Sequence, residues 1–141
     1  MSKNLALICL AALILCGCGS SETGEIRFLV GVSQANLSEP WRILMNQELK
    51  EEAARYPDMQ VVFADAAGSN ERQVQDINRL RQWGVDIMII SPNDAIRLAP
   101  SIVEAYGHIP IILLDRAVEG YNYTLFIGPD NRLIGDRIGR Y

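Results

Sequence analysis

Apolar positions after residue 25 fall into five short runs separated by longer amphipathic segments. The runs cover residues 26–32, 59–64, 86–90, 109–114 and 124–127. Each run is continuous rather than alternating, which is typical of strands that are buried on both faces of a parallel sheet. The pattern therefore predicts five buried strands.

The segment after the first run has the spacing of a helix. Pro40 lies near its start, where the missing N–H of proline is tolerated. The spacing places Arg42 and several acidic residues away from the core. It puts one set of apolar residues on the core-facing side, namely Trp41, Leu44, Met45, Leu49 and Ala53.

A second helix is expected between the second and third strands. Asn70 and Gln73 have the spacing of a capping box, so the helix is expected to begin at Asn70. Gly84 ends it. Its apolar face is formed by Val74, Ile77 and Leu80.

Two further helices follow the third and fifth strands. Asn93 or Asp94 can cap the third helix and Gly107 ends it. Its apolar face is formed by Leu98, Ile102 and Tyr106. The fourth helix begins at Asn131, and its apolar residues are expected to face the core, namely Leu133, Ile134, Ile138 and Tyr141.

Strands and helices that alternate in this way form βαβ units with right-handed crossovers. We therefore expect one α/β domain over residues 26–141. It would be a doubly wound parallel sheet of about five strands in the order 2-1-3-4-5. The last helix stops without a glycine cap, a proline or a following strand, which favours a truncated domain.

The first residues differ in character from the rest of the chain. Lys3 is followed by eleven apolar residues at positions 5–15. A helix that spans a membrane needs roughly 20 apolar residues, whereas this run has the length of a signal-peptide core. The sequence at 15–18, Leu-Cys-Gly-Cys, resembles a bacterial lipobox.

Cys18 fits that motif better than Cys16, because small Gly17 precedes Cys18. We expect a lipoprotein signal peptide at residues 1–17, lipidation of Cys18 and a polar tether at residues 18–25. A plain secretory signal is the alternative. Cys9 is the only other cysteine, so cleavage leaves no pair for a disulfide and no thiol for metal binding or catalysis.

The net charge of −4 and the low number of lysines argue against nucleic-acid binding. A phosphate-binding face needs clustered Lys and Arg, whereas the arginines here are scattered and mostly lie near acids.

Ligands of open parallel sheets bind beyond the carboxyl ends of the strands. Carboxylates accept hydroxyl hydrogens, guanidinium groups donate to oxygens, and an indole face covers apolar C–H groups. The polar residues after the predicted strands therefore suit a neutral, hydroxyl-rich ligand. They are Ser33, Gln34, Asn36, Ser38, Glu39, Trp41, Arg42, Asp65, Ser91, Asn93, Asp94, Asp115, Arg116, Asp130 and Asn131.

Three of these segments resemble a known family. The segment 31–42, GVSQANLSEPWR, resembles the first strand and loop of periplasmic binding proteins of the ribose/galactofuranose type. The segment 109–116, IPIILLDR, resembles the family's fourth strand with its Asp-Arg pair, and 128–131, GPDN, resembles the turn that opens the next helix. The resemblance covers residues 26–141 and implies the N-terminal lobe of a two-lobed clamp, without the C-terminal lobe.

The resemblance also implies roles for individual residues. The family's loop aromatic stacks on the sugar and its Asp-Arg pair holds the hydroxyls, so these roles fall to Trp41, Asp115 and Arg116. The Trp-Arg pair of the galactofuranose-like branch adds Arg42. Ser33 and Gln34 would line the base, with weaker expectations for Asp65, Asn93, Asp130 and Asn131. The loop between Ser33 and Pro40 is longer than in the ribose branch, which leaves the sugar open.

Each candidate has a structural alternative. Asp115 could be a capping acid beside a solvated Arg116, Arg42 could be solvated, and Trp41 could fill the core beside Leu44 and Met45. Asp65 could cap a turn, and Asp130 and Asn131 could be helix caps. His108, the only histidine, precedes a strand at the opposite edge and is expected at the surface.

Other functional classes fit less well. An enzyme is disfavoured because the strand ends carry no histidine and the chain has no usable cysteine, Gly-x-Gly-x-x-Gly or Walker loop. A receiver domain would need paired acids after the first strand and a lysine after the fifth. A sugar-responsive repressor would need an N-terminal helix-turn-helix in place of the signal peptide.

We therefore expect an exported, lipid-anchored, monomeric sugar-binding protein with no cofactor and no metal. Its partner in the membrane would be an ABC permease or, alternatively, a sensor kinase or chemoreceptor. The residues do not separate transport from sensing.

Overall fold

The computed structural model describes residues 25–140. The predicted signal peptide, the lipidation site Cys18, most of the tether and Tyr141 lie outside the described residues. In chain order the elements are β1 (Phe28–Gln34), α1 (Pro40–Ala53), β2 (Met59–Asp65), α2 (Asn70–Gln82), β3 (Ile87–Ser91), α3 (Ala95–Tyr106), β4 (Ile111–Leu114), β5 (Leu125–Ile127) and α4 (Asn131–Gly139). Within residues 25–140, no helix has the length and apolarity needed to cross a membrane.

The sheet has five parallel strands in the order β2-β1-β3-β4-β5, which confirms the predicted topology. Gln34 is level with Asp65 on one side and with Ser91 on the other. The first three strands thus end at one edge, and each continues one or two residues beyond its apolar run to a polar residue. The carboxyl edge of the sheet is therefore polar.

One face of the sheet is covered by α2 and α3. The predicted apolar residues Ile77, Leu80, Leu98 and Ile102 are fully buried there. They pack against the inward residues of β3 and β4, namely Met88, Ile90, Ile111 and Leu113. Burial of one such side chain contributes about 1.5–3 kcal/mol, so this layer is the main source of stability. Tyr106, predicted on the same face of α3, is partly exposed.

The predicted core face of α1 is wrong over its first two turns. Trp41 and Leu44 are about half exposed, whereas Arg42 and Asn46 are buried. The reason is that this half of α1 lies over the carboxyl edge of the sheet, where β1 and β3 present polar rather than apolar side chains.

The predicted core face of α4 is also wrong. Leu133, Ile134 and Ile138 are 51%, 47% and 69% exposed. Leu125 and Ile127 of β5, at the edge of the sheet, are similarly exposed. No described element packs over this corner of the sheet, so the apolar stripe of α4 lies open.

The second helix begins at Asn70 as predicted, but its predicted N-cap is wrong. Ser69, not Asn70, is the N-cap, and its hydroxyl accepts a hydrogen bond from the Arg72 N–H at 3.2 Å. Gln73 is fully buried and does not complete a capping box. Of the two expected caps of α3, Asn93 and Asp94, the structure shows Asp94, which accepts from the Ile96 and Arg97 N–H groups.

Candidate functional site

Arg42 is the centre of the polar carboxyl edge. It lies in the first turn of α1, and only 3% of it is exposed. Its Nη1 donates to Gln34 Oε1 at 3.2 Å and to Ser91 Oγ at 2.5 Å. The guanidinium thereby ties α1 to the ends of β1 and β3. Arg42 is therefore not solvated, which rules out the alternative stated for it in the sequence analysis.

Glu39 and Trp41 flank the same guanidinium. Arg42 Nε donates to the Glu39 carboxylate, and the Arg42 guanidinium lies 4.2 Å from the centre of the Trp41 ring. The hydrogen bond from Arg42 lowers the pKa of the Glu39 carboxyl, so Glu39 stays ionised at neutral pH. Trp41 remains 45% exposed, so its role as a core residue is excluded.

Gln34 is held in place from the other side of its amide. Its Nε2 donates to Asn46 Oδ1 at 2.7 Å, one helical turn beyond Arg42. Because Nε2 is engaged there, Oε1 is the atom that faces Arg42. The pair Gln34 and Asn46 thus orients the acceptor that fixes the guanidinium.

Asp115 lies at the end of β4 in a left-handed conformation, with φ of 70°. Asp adopts this conformation more readily than most residues, and such local strain is common at functional sites. The Asp115 N–H donates to Ile127 O at 2.9 Å. A Cβ on Gly128 would lie 3.0 Å from the Asp115 carbonyl and 2.4 Å from the Phe126 ring, so glycine permits this close approach.

The Asp115 carboxylate connects the two arginines of the edge. Its Oδ2 lies 3.8 Å from Arg42 Nη2 and 3.7 Å from Arg116 Nε. Arg116 Nη1 donates to the Asn93 carbonyl at 2.6 Å. Trp41, Arg42, Asp115 and Arg116 therefore form one continuous row along the rim.

A cleft of about 690 Å³ adjoins this row. It lies between the ends of β4 and β5 and the start of α4. Its lining residues are Ala95, Asp115, Arg116, Ala117, Phe126, Gly128, Pro129, Asp130, Asn131 and Arg132. The cleft is open to solvent, and its polar side chains come from two segments, the loop after β4 and the start of α4.

Other predicted residues lie apart from the row. Ser33 is fully buried on the opposite face of the sheet, within 3.3 Å of Gln73 Nε2. Asp65 accepts from the Ala67 N–H at 2.8 Å and so caps a turn. Asp130 borders the cleft but caps α4 through the Arg132 and Leu133 N–H groups. His108 is exposed.

Sequence reasoning missed the contacts that three residues make at this polar edge of the sheet. Glu39 was named among the rim residues without a role, although its spacing of three from Arg42 is that of a helical ion pair. Asn46 and Gln73 were not assigned to the site. Polar residues on otherwise amphipathic helices carry no signal of burial, so these two could not be found from the pattern.

The charges along the rim balance. Arg42 and Arg116 are matched by Glu39 and Asp115, so these four residues carry no net charge. Within the described part of the chain, no group of three or more His, Cys, Asp or Glu residues is placed to hold a metal ion. The row offers donors, acceptors and an indole ring, the groups that recognise hydroxyls and C–H faces.

Comparison with known proteins gives sugar-binding relatives. The chain is 28% identical over 131 residues to the ribose import binding protein RbsB of Bacillus subtilis, covering 86% of this chain and 42% of that protein. The solved fructose-binding periplasmic domain of a hybrid two-component system is 39% identical with a TM-score of 0.74, covering 81% of this chain and 38% of that one.

A solved galactofuranose-binding protein is 30% identical with a TM-score of 0.70, covering 79% of this chain and 39% of that one. The chain thus spans about two fifths of the length of these relatives. The family model described as a periplasmic binding protein domain matches residues 30–141. Since that match covers most of the chain, the chain belongs to the periplasmic binding protein domain family and is a relative of its sugar-binding members.

Proposed function

We propose that this chain captures a neutral sugar outside the cytoplasm, as part of a binding protein that delivers it to an ABC permease. Trp41, Arg42, Asp115 and Arg116 make the main contacts, and Gln34 orients Arg42. The protein has no catalytic role, and a lipid on Cys18 anchors it to the membrane. Support comes from the relatives, which are sugar-binding proteins and include a ribose import protein.

The gap between Arg42 and Asp115 carries this proposal. Arg42 Nη2 and Asp115 Oδ2 are 3.8 Å apart, which is beyond hydrogen-bond distance. A sugar hydroxyl beside this gap can accept from Nη2 and donate to Oδ2 at the same time. Hydrogen bonds to charged groups are worth about 1.5–3 kcal/mol each, so this one position contributes strongly to affinity.

The balance of charge supports a neutral ligand over a sugar acid or a sugar phosphate. Each arginine of the row already faces a carboxylate, so an added anion would meet Glu39 and Asp115 as well as the arginines. The exposed Trp41 ring beside Arg42 supplies an apolar surface for the C–H face of a sugar.

NMR titration of the labelled chain tests the proposal. D-Ribose, D-fructose, myo-inositol and methyl β-D-galactofuranoside are each added to about 100 mM, well above a Kd of about 1 mM, and the Trp41 indole N–H signal is followed. At least one neutral compound is expected to shift it, and gluconate at the same concentration is not. If none of the four compounds moves this signal, the proposal fails.

The variant Asp115→Ala then tests the gap. We expect affinity to fall by about 1.5–3 kcal/mol, because one charge-assisted hydrogen bond is lost. Asp136→Ala is the matched control, since Asp136 is half exposed on α4 and pairs with Arg140 instead. Equal affinities for Asp115→Ala and the control would remove Asp115 from the pocket.

A sensing role is the second candidate. The observation in its favour is the 39% identity to a fructose-binding domain that belongs to a hybrid two-component system. Deletion of the gene separates the two roles. Loss of labelled-sugar uptake supports transport, whereas intact uptake with loss of the sugar-induced transcriptional response supports sensing.

A further inference from the structure

Gln73 is a buried polar residue that makes no contact with the row of Trp41, Arg42, Asp115 and Arg116. It lies in the first turn of α2 and is fully buried. Its Nε2 donates to Ser91 O at 3.0 Å and lies 3.3 Å from Ser33 Oγ. Its Oε1 accepts from the Asn93 N–H at 2.9 Å. One side chain thus joins β1, β3 and the loop that follows β3.

This set of partners fixes the orientation of the amide. Ser91 O can only accept and the Asn93 N–H can only donate, so the Gln73 nitrogen must face the former and its oxygen the latter. A carboxylate in this place would set a negative oxygen against Ser91 O, and an aliphatic side chain would satisfy neither group. Gln73 therefore supplies both a donor and an acceptor that the loop requires.

The loop held by Gln73 in turn holds Arg116. The Asn93 carbonyl accepts from Arg116 Nη1 at 2.6 Å, and Arg116 Nε lies 3.7 Å from Asp115. The Asn93 side chain gives the loop a second attachment by donating to Gly68 O at 3.1 Å and to Asn70 Oδ1 at 2.8 Å. The backbone of Asn93 is therefore the link between Gln73 and the rim.

We infer that Gln73 is a positioning residue for sugar binding, which acts through the Asn93 backbone to place Arg116 beside Asp115. The part of this inference that concerns sugar binding rests on the proposed function. The other part, that Gln73 controls the positions of Asn93 and Arg116, does not depend on a ligand and is tested separately.

The ligand-free test uses the full chain and the variant Gln73→Leu. Hydrogen exchange of the Asn93 amide is expected to accelerate by about tenfold or more, because its acceptor is lost. The Arg116 side-chain NMR signal should also shift. Leu80→Ala is the control, since Leu80 is fully buried on the same helix and has no part in the loop. Its effect on the Asn93 amide should not exceed its effect on other α2 and α3 amides.

The ligand test compares the affinities of the folded variants for D-ribose and D-fructose. Gln73→Leu is expected to bind about tenfold more weakly than wild type, and Leu80→Ala as wild type. If wild type binds neither of these sugars nor the other two compounds of the titration, the proposed function fails, while the exchange result still decides whether Gln73 controls Asn93 and Arg116. Unchanged affinity in Gln73→Leu, or exchange equal to that of Leu80→Ala, overturns the positioning role.

Gln73→Glu keeps the test decisive if Gln73→Leu does not fold. When protonated, the introduced carboxyl can donate to Ser91 O and accept from the Asn93 N–H; when ionised, it can only accept. Its affinity relative to wild type should therefore be higher at pH 5 than at pH 8. A ratio that does not change with pH would contradict a positioning role and leave Gln73 a packing residue.

Discussion

At the scale of single residues, Arg42 decides the character of the site. A charged residue in the middle of an amphipathic segment normally faces solvent. Arg42 is buried because three acceptors meet it, one each from β1, the α1 N-terminus and β3. Gln34 and Ser91 lie on two strands of the sheet, and Ser91 is 49 residues away in the sequence, so the burial of Arg42 depends on the tertiary fold and not on the local pattern.

Arg42→Ala is expected to lower the free energy of unfolding by about 2–4 kcal/mol, because Gln34 and Ser91 lose their buried donor. Arg55→Ala is the matched control, in the turn that follows α1. Arg55 is three-quarters exposed and forms a surface ion pair with Glu52, so its loss should change stability by less than about 0.5 kcal/mol. Urea denaturation of both variants measures the difference. Equal effects would mean that the Arg42 contacts contribute nothing to folding.

Asp76 predicts a pH effect of defined sign. Its Oδ1 accepts from Arg79 at 2.6 Å, whereas its buried Oδ2 has no hydrogen-bond partner among the described residues. Burial raises the pKa of Asp76 above its ordinary value of 3.8, despite the nearby Arg79. The folded state therefore holds the proton more tightly than the unfolded state. As the pH rises from the ordinary pKa of 3.8 through the raised pKa, Asp76 ionises in the folded state and lowers the free energy of unfolding.

Asp76→Asn removes this cost, since the amide does not titrate. The difference in unfolding free energy between the variant and wild type should become more positive from pH 3.5 to pH 7. Denaturant titrations at the two pH values measure it, with Asp136→Asn on α4 as the control. A difference that shrinks with rising pH would show that the Arg79 pairing outweighs burial.

At the scale of elements, the pattern succeeded where a helix meets an apolar surface. The predicted faces of α2 and α3 contain Ile77, Leu80, Leu98 and Ile102, all of which are fully buried, because these helices cover the apolar residues of β3 and β4. The same reasoning failed for α1 and α4. Helix α1 lies over a polar edge, and no element within residues 25–140 packs against the apolar stripe of α4. Periodicity identifies a face that can be buried, but not what lies opposite it.

The contrast between α3 and α4 can be measured with one isoleucine-to-alanine substitution in each helix. Ile102→Ala removes a fully buried side chain of α3 and should cost about 2–5 kcal/mol of unfolding free energy. Ile138→Ala removes a 69% exposed side chain of α4 and should cost less than about 0.5 kcal/mol. Thermal or urea unfolding of the two variants gives the values. A loss above about 1 kcal/mol for Ile138→Ala would mean that its stripe is covered in solution.

At the scale of the whole molecule, strand order followed from the sequence and the site followed only in part. Alternating strands and helices with right-handed crossovers leave few topologies, and 2-1-3-4-5 is the one found. That order carried the polar strand ends to a common edge, and the family resemblance singled out Trp41, Arg42, Asp115 and Arg116 among them. Ser33 and Gln34 were both expected at the base of the site, but successive strand residues point to opposite faces, so Gln34 meets Arg42 while Ser33 meets Gln73.

The open shape of the rim sets the affinity expected of this chain. Trp41, Arg116 and Asp115 are each one-third to more than one-half exposed, and the adjoining cleft is open on one side. Well-formed sites for small ligands enclose about 70–90% of the ligand surface, whereas this rim can contact a sugar from one side only. We therefore expect a Kd of about 1 mM or weaker, which corresponds to about 4 kcal/mol. Calorimetry and NMR titration of residues 18–141 measure it. Micromolar binding would mean that this rim alone is sufficient for tight binding, and that a second covering surface adds little to the affinity for the sugar.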